Sequence, residues 1–349
     1  MSERKKLVAD AVFEGGGVKG IGLVGAVSYA EEIGYRWVNL AGTSAGAIVA
    51  ALIAAGYTGR ELKEILNHLD YMRLRDTDLL DRVPLLGPLA SLIIEKGIYE
   101  GDFFLKWMRD LLDRKHVHTF RDLAMQEYKD DPKYRYKLRV IASDISHGRL
   151  LALPQDIESY GIAPDDLEVA FAVRMSMSTP FFYEPVRLEN KKTREVSYIV
   201  DGGVLSNFPI WLFDNEGTIP EWPTLGFKLV EPGEENPIPH AVRGPISLLT
   251  ALFATMMEAH DARYIKDEHF VRTIPIPTLG VGTAEFDISR ERSEALYESG
   301  RKTAAKFFTE WDFDSYVAKY RTCTCSPSAS SGKEAVGRGL RLRNSAKCV

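Results

Sequence analysis

The apolar positions in the first 56 residues change period several times. Leu7 to Phe13 is a nearly continuous apolar run and predicts a mostly buried strand, which Gly15-Gly16-Gly17 breaks. From Val18 to Ile33 the apolar residues fall at 21, 23, 24, 27 and 30, a helical spacing stopped by Gly34. Trp37 to Ala41 predicts a second strand, Gly42 to Gly46 a turn, and Ala47 to Ala55 a helix closed by Gly56. Strand, helix, strand, helix implies a right-handed crossover and a parallel sheet, so the fold class is α/β. Further strands are predicted at Leu138–Ala142, Val196–Val200 and Leu225–Val230, and helices at Asp165–Met175, Ile246–Ile265 and Arg290–Trp311. No internal repeat interrupts this order.

Between Asp70 and Asp102 the periodicity degrades. Residues 83–94 are apolar but cut by two prolines and a glycine, which suits a packed connection or an apolar flap over a lipid site. From Arg109 to Lys137 the chain is densely charged and reads as an exposed excursion.

Composition narrows the classes of function. The 349 residues are 45% hydrophobic and 27% charged, an ordinary globular balance, with a net charge of -5. The charge is uneven: residues 323–349 carry a net +4 and the remainder -9. The acidic body gives no electrostatic reason to expect nucleic acid. The three cysteines, Cys323, Cys325 and Cys348, all lie in this Ser-, Gly- and Arg-rich tail, which reads as disordered. The body therefore holds neither a disulfide framework nor a cysteine nucleophile or zinc thiolate. The acids near the motifs below lack chelating spacing, so neither metal nor cofactor is expected. No signal peptide and no run of about 20 apolar residues is present, which predicts a cytoplasmic or peripheral membrane protein.

Two glycine motifs carry the chemistry. Gly15, Gly17 and Gly20 match G-x-G-x-x-G between a strand and a helix, the setting of a dinucleotide site. However, the second strand ends Asn39-Leu40-Ala41-Gly42, without the acid that would hold a ribose. Lys19 is followed by Gly20 rather than Ser or Thr, so this is no phosphate P-loop either. Gly42-Thr43-Ser44-Ala45-Gly46 is G-x-S-x-G between strand and helix, a turn that lifts a serine hydroxyl above the sheet. A serine attacking an ester creates an oxyanion that needs preorganised N–H donors. Gly15, Gly16, Gly17 and Val18 offer successive amides at a helix N-terminus, where the dipole also favours negative charge.

The general base has two classes of candidate. His240, His260 and His269 follow the serine in triad order, but none sits in a strand-end loop. Asp201 ends an apolar strand and is followed by Gly202 and Gly203. A carboxylate there is costly unless used or paired, although a simple Asx turn would also place one.

Taken together, Gly15 to Gly20, Gly42 to Gly46 and Asp201-Gly202-Gly203 resemble the patatin-like phospholipases in residue type, order and spacing. Residues 172–186 and 282–288 resemble the same family, so the likeness spans about residues 7 to 312. It implies a three-layer αβα sandwich with a mostly parallel central sheet as a catalytic domain over residues 1–315, with 70–135 a variable excursion or flap and 316–349 a tail. It also implies a Ser–Asp dyad: Ser44 as nucleophile, Asp201 as base, and Gly15 to Val18 as oxyanion hole, supported by Lys19, Gly42, Gly46 and Gly202. Lys19 is placed to orient the glycine loop or to meet an anionic headgroup. Met175, Met177, Phe181 and Phe182 precede the Asp strand and are candidates to line an acyl pocket. The implied partner is a phospholipid or other lipid ester, met at a membrane surface. An acyltransferase using the same acyl-serine is the nearest alternative, and an anion- or nucleotide-binding module the more distant one.

Overall fold

The computed structural model describes residues 7–69, 101–180, 182–214, 219–231, 255, 267–283 and 285–321. The chain opens with strand β1 (Val8–Phe13), a 3-10 turn over Gly17–Gly20 and helix α1 (Ile21–Glu32). Strand β2 (Arg36–Thr43), α2 (Ala45–Ala54), α3 (Gly59–His68) and α4 (Asp102–Asp113) follow. Next come β3 (Leu138–Asp144), β4 (Arg149–Leu153), α5 (Val169–Ser176), β5 (Val186–Glu189) and β6 (Val196–Asp201). The chain continues through β7 (Thr224–Val230), α6 (Asp267–Phe270), β8 (Thr273–Pro277), α7 (Arg290–Glu310) and α8 (Phe313–Tyr320).

The eight strands form one mixed sheet in the order β5-β6-β3-β2-β1-β7-β8, with β4 paired to β3 off that path. The centre is parallel: β1 pairs with β2 and β7, β2 with β3, and β7 with β8. The β3–β4, β3–β6 and β5–β6 pairs are antiparallel. Alternation along the strands separates two apolar layers. Ala9, Ala11 and Phe13 of β1 join the large core with α1 and α2, whereas Val12 and Ala41 pack with Phe208, Ile210 and Phe213. Parallel central strands covered on both faces need the near-continuous apolar runs seen at 7–13 and 138–142.

Several elements depart from the sequence expectation. The helix expected from Val18 begins as a 3-10 turn, and the helix expected from Asp165 begins at Val169 because Leu167 and Glu168 are extended. Residues 109–137 are not an exposed excursion. Met108, Leu111 and Leu112 of α4, then Val117, Phe120, Leu123 and Tyr136, are buried in the main core while the charged residues between them face outward. Helix α8 runs across residue 315, the expected end of the domain, and its Tyr316 stacks 5.6 Å from Trp311. The apolar stretch 83–94, the expected helix 246–265, His240, His260 and the tail beyond 321 lie outside the described residues. Among those described, no helix is long and apolar enough to cross a membrane.

Candidate active site

Ser44 stands between β2 and α2 with φ 53° and ψ -125°, a conformation that non-glycine residues rarely adopt. The elbow requires its two glycines for space. A Cβ on Gly42 would fall on the backbone of Gly46, and one on Gly46 would fall on the carbonyls of Phe13 and Glu14. The turn is tied to the sheet by Ser176 at the end of α5. The Ser44 N–H donates to Ser176 Oγ at 2.9 Å, and that hydroxyl donates to Ile141 O at 2.6 Å. Thr43 Oγ1 donates to Ser206 O at 3.1 Å, securing the other side of the elbow.

Asp201 ends β6 and is 1% exposed. Its Oδ1 accepts from Gly203 N at 2.9 Å and its Oδ2 from Thr179 Oγ1 at 2.8 Å. Burial pushes its pKa up to about 6, and the bonds from Gly203, the Ser44 hydroxyl and Thr179 oppose that rise. Ser44 and this carboxylate, whose basicity is raised by desolvation, line the same cleft. The Ser44 hydroxyl donates to Met177 Sδ at 3.6 Å.

The glycine loop sits beside this pair, but its amides are not equivalent. Gly15 N–H donates to Asn207 O at 3.1 Å and Val18 N–H to Thr283 O at 3.1 Å. Both were expected among the oxyanion donors, and both are engaged. Gly16 and Gly17 line the same cleft as Ser44, and their amides have no hydrogen-bond acceptor among the described residues. The loop is clasped to β7 from both ends. Buried Glu14 accepts from Lys228 Nζ at 3.1 Å and from Leu229 N–H, and its pKa is raised by burial. Lys19 Nζ reaches Glu231 Oε1 at 2.7 Å, which favours the loop-orienting role over the headgroup role.

The cleft above Ser44 is almost wholly apolar. Ile21 and Val24 of α1, Ile48 and Leu52 of α2, and Leu62 and Leu66 of α3 form its walls. Of the acyl-pocket candidates, Met177 and Phe182 are in its lining and Met175 is not. Met175 lies within α5 and is fully buried in the core, while Met177 caps the helix and turns into the cleft. Phe181 lies outside the described residues. His269, the described one of the three candidate histidines, has no contact with Ser44. His269 precedes β8, at the opposite end of the parallel strands, and lies 3.4 Å from Asp214. The imidazole of His147 is held by Asp144 at 2.7 Å and Ser197 at 3.3 Å through one and the same nitrogen, Nδ1.

Sequence reasoning missed Ser176, Thr179, Asn207 and Glu14. Only Glu14 had a visible signal, an acid directly before three glycines.

A model of the Patatin-like phospholipase family matches residues 11–214. The chain is 40% identical over 305 residues to the uncharacterized protein YqhO of Bacillus subtilis, covering 87% of this chain and 99% of that protein. It is 25% identical over 209 residues to a probable lipid hydrolase of Invertebrate iridescent virus 6, covering 60% of this chain and 64% of the viral protein. Among solved structures, VipD from Legionella pneumophila superposes with a TM-score of 0.50 at 19% identity, covering 88% of this chain and 67% of VipD. At that identity the likeness speaks to the fold.

Proposed function

This chain belongs to the patatin-like phospholipase family, and from that premise we propose that it is a serine lipid acyl hydrolase working through a Ser44–Asp201 dyad. One observation carries the proposal: Ser44 and the buried carboxylate of Asp201 line one and the same apolar cleft. Asp201 takes the hydroxyl proton as Ser44 Oγ attacks the ester carbonyl carbon. The resulting oxyanion is placed beside the N–H groups of Gly16 and Gly17 at the start of the α1 segment. Collapse expels the alcohol, which takes the proton from Asp201, and leaves an acyl-serine. A water that Asp201 deprotonates then attacks the acyl carbon, releasing the fatty acid and restoring Ser44.

An aspartate with an ordinary pKa near 3.9 is a weak base for a serine. Its elevation to about 6 brings it closer to working pH without a histidine. The cleft between α1, α2 and α3 favours a long acyl chain over a small polar acyl group, since its walls are Ile, Val and Leu side chains joined by Met177 and Phe182. The tests are fluorophosphonate labelling of the wild type and of Ser44→Ala, then turnover of a panel of phospholipids and neutral esters. Labelling of wild type alone, with fatty acid release from the panel, is the expected result. Transfer of the acyl group to added alcohol acceptors in preference to water would assign the site to an acyltransferase instead.

A further inference from the structure

At the end of the parallel strands opposite Ser44, a cavity of about 220 Å³ opens beside the starts of β1 and β7 and the 128–134 segment. That is well above the space one water needs, and admits a small organic molecule. Three half-buried aromatic rings line it. Tyr128 and Tyr134 have centroids 5.9 Å apart at 51°, and each lies 6.5 Å from Trp222, at 70° and 72°. Steeply inclined rings about 6 Å apart are spaced as edge-to-face pairs are, and three of them lining one cavity also offer ring surface on which a single cation can sit.

The charges point the same way. Asp10 lies in the cavity wall and is 2% exposed. Its Oδ1 accepts from Asn39 N at 3.0 Å, Asn39 Nδ2 at 2.8 Å and Trp222 Nε1 at 2.9 Å, while Oδ2 has no donor among the described residues. Asp131 and Glu221 add two more carboxylates to the wall. The wall's two cations, Arg272 and Arg321, are both committed to Asp214. Lys133 lies close enough to temper Asp10 and Asp131, but its ammonium donates to Asp214 O, so the wall's carboxylates favour a cation over an anion. The chain itself already sets an ammonium near one of these rings: Lys133 Nζ lies 5.8 Å from the Tyr134 centroid.

We propose that this cavity binds an alkylated ammonium of the size of tetramethylammonium or choline, seated on Tyr128, Tyr134 and Trp222 with Asp10 as counter-ion. The site is independent of the catalytic reading, because it lies at the other end of the sheet and includes neither Ser44 nor Asp201. The cation has two sources, a free ammonium compound or a phosphocholine headgroup.

The test is saturation-transfer NMR on the methyl protons of tetramethylammonium with the full chain, titrated to give an affinity. Wild type and Ser44→Ala should show equal transfer. The double variant Tyr128→Leu/Tyr134→Leu should weaken binding about tenfold or more, and Tyr128→Phe/Tyr134→Phe should hold it within about twofold, since only the rings matter. A thermal melt of each variant checks that it folds. Absence of transfer in the wild type, an unchanged affinity in a folded double-Leu variant, or equal competition by plain ammonium chloride overturns the proposal. Phosphatidylcholine vesicles form the second arm. Capture that the double-Leu variant loses supports the site with a lipid source, and tetramethylammonium binding without vesicle capture supports it with a free one.

Discussion

Thr43 and Asp201 stand end to end along one edge of strand β3: Thr43 pairs with Ile141 and Asp201 with the next residue, Ala142. Strand β4 occupies the other edge of β3 from Val140 to Asp144, so β2 and β6 must share this one, entering from opposite directions. Where they meet, β2 turns out of the sheet at Ser44 and β6 stops at Asp201. The dyad is thus built into the sheet pairing rather than reached by a long loop. Ser44→Ala and Asp201→Asn should each lower kcat on a p-nitrophenyl acyl ester by about 10⁴-fold, as measured for interdependent catalytic groups. Substantial turnover in either variant would remove the dyad.

The backbone at Ser44 carries its own cost. A non-glycine residue at φ 53° and ψ -125° stores about 1–3 kcal/mol, and glycine would release it at an entropic cost of about 0.5–1 kcal/mol. Ser44→Gly should therefore be inactive yet more stable than wild type by about 1 kcal/mol in urea denaturation. A variant less stable than wild type would show that the elbow is not strained.

Much of this site was legible in the linear pattern because its chemistry lies at element ends. Glycines flank Ser44 and follow Asp201 because backbones approach there too closely for a Cβ, and such glycines show in a sequence. Side chains that depend on tertiary juxtaposition do not show. Ser176 matters only because Ile141 O and Ser44 N–H converge on it, and Thr179 only because β6 ends beside it. Met175 and Met177 could not be told apart without knowing that α5 ends between them. Residues 109–137 misled because charge density was read without the period of the apolar residues beneath it. Helix α3 is absent from the sequence reading although Thr58-Gly-Arg-Glu61 carries the pattern of a capping box, in which Thr58 and Glu61 bond reciprocally.

Ser176 provides a test of positioning distinct from chemistry. Ser176→Ala removes both the acceptor for Ser44 N–H and the donor to Ile141 O, taking the side-chain partner from two buried backbone groups. The expected loss is about 1–3 kcal/mol of stability. In steady-state kinetics kcat should fall about 10- to 100-fold with KM little changed, since a small misplacement of the nucleophile acts on the chemical step. A change confined to KM would place Ser176 in substrate binding.

The acyl cleft predicts chain-length selectivity. Replacing Leu66 or Val24 by Trp fills space between α3 and α1 without touching the dyad. Each should lose most kcat/KM on a sixteen-carbon p-nitrophenyl ester while keeping turnover of the acetyl ester. By contrast, Met175→Ala should cost about 2–5 kcal/mol of stability and leave the ratio of the two substrates unchanged, because Met175 is core. An unchanged ratio in Leu66→Trp would move the acyl chain elsewhere.

The pH dependence follows from Asp201. Its carboxyl is raised to about 6 by burial, so the base form is lost below that pH and kcat/KM should fall along an acid limb with a midpoint near 6. Stability runs the other way. A carboxyl whose folded pKa lies above its unfolded value of 3.8 favours the folded state fully below 3.8, and that contribution is lost as pH rises through 6. At pH 8 the ionised Asp201 therefore costs the fold something on the order of 3 kcal/mol, which the neutral amide of Asp201→Asn avoids while still accepting from Gly203 N–H. Urea denaturation of wild type and Asp201→Asn should show the variant more stable at pH 8 and the gap closing toward pH 4. Taking the difference between the two proteins cancels Asp10, whose pKa is raised to about 6 as well. A gap that stays constant with pH would mean that Asp201 titrates alike in the folded and unfolded chains, and the base for Ser44 would then need another explanation.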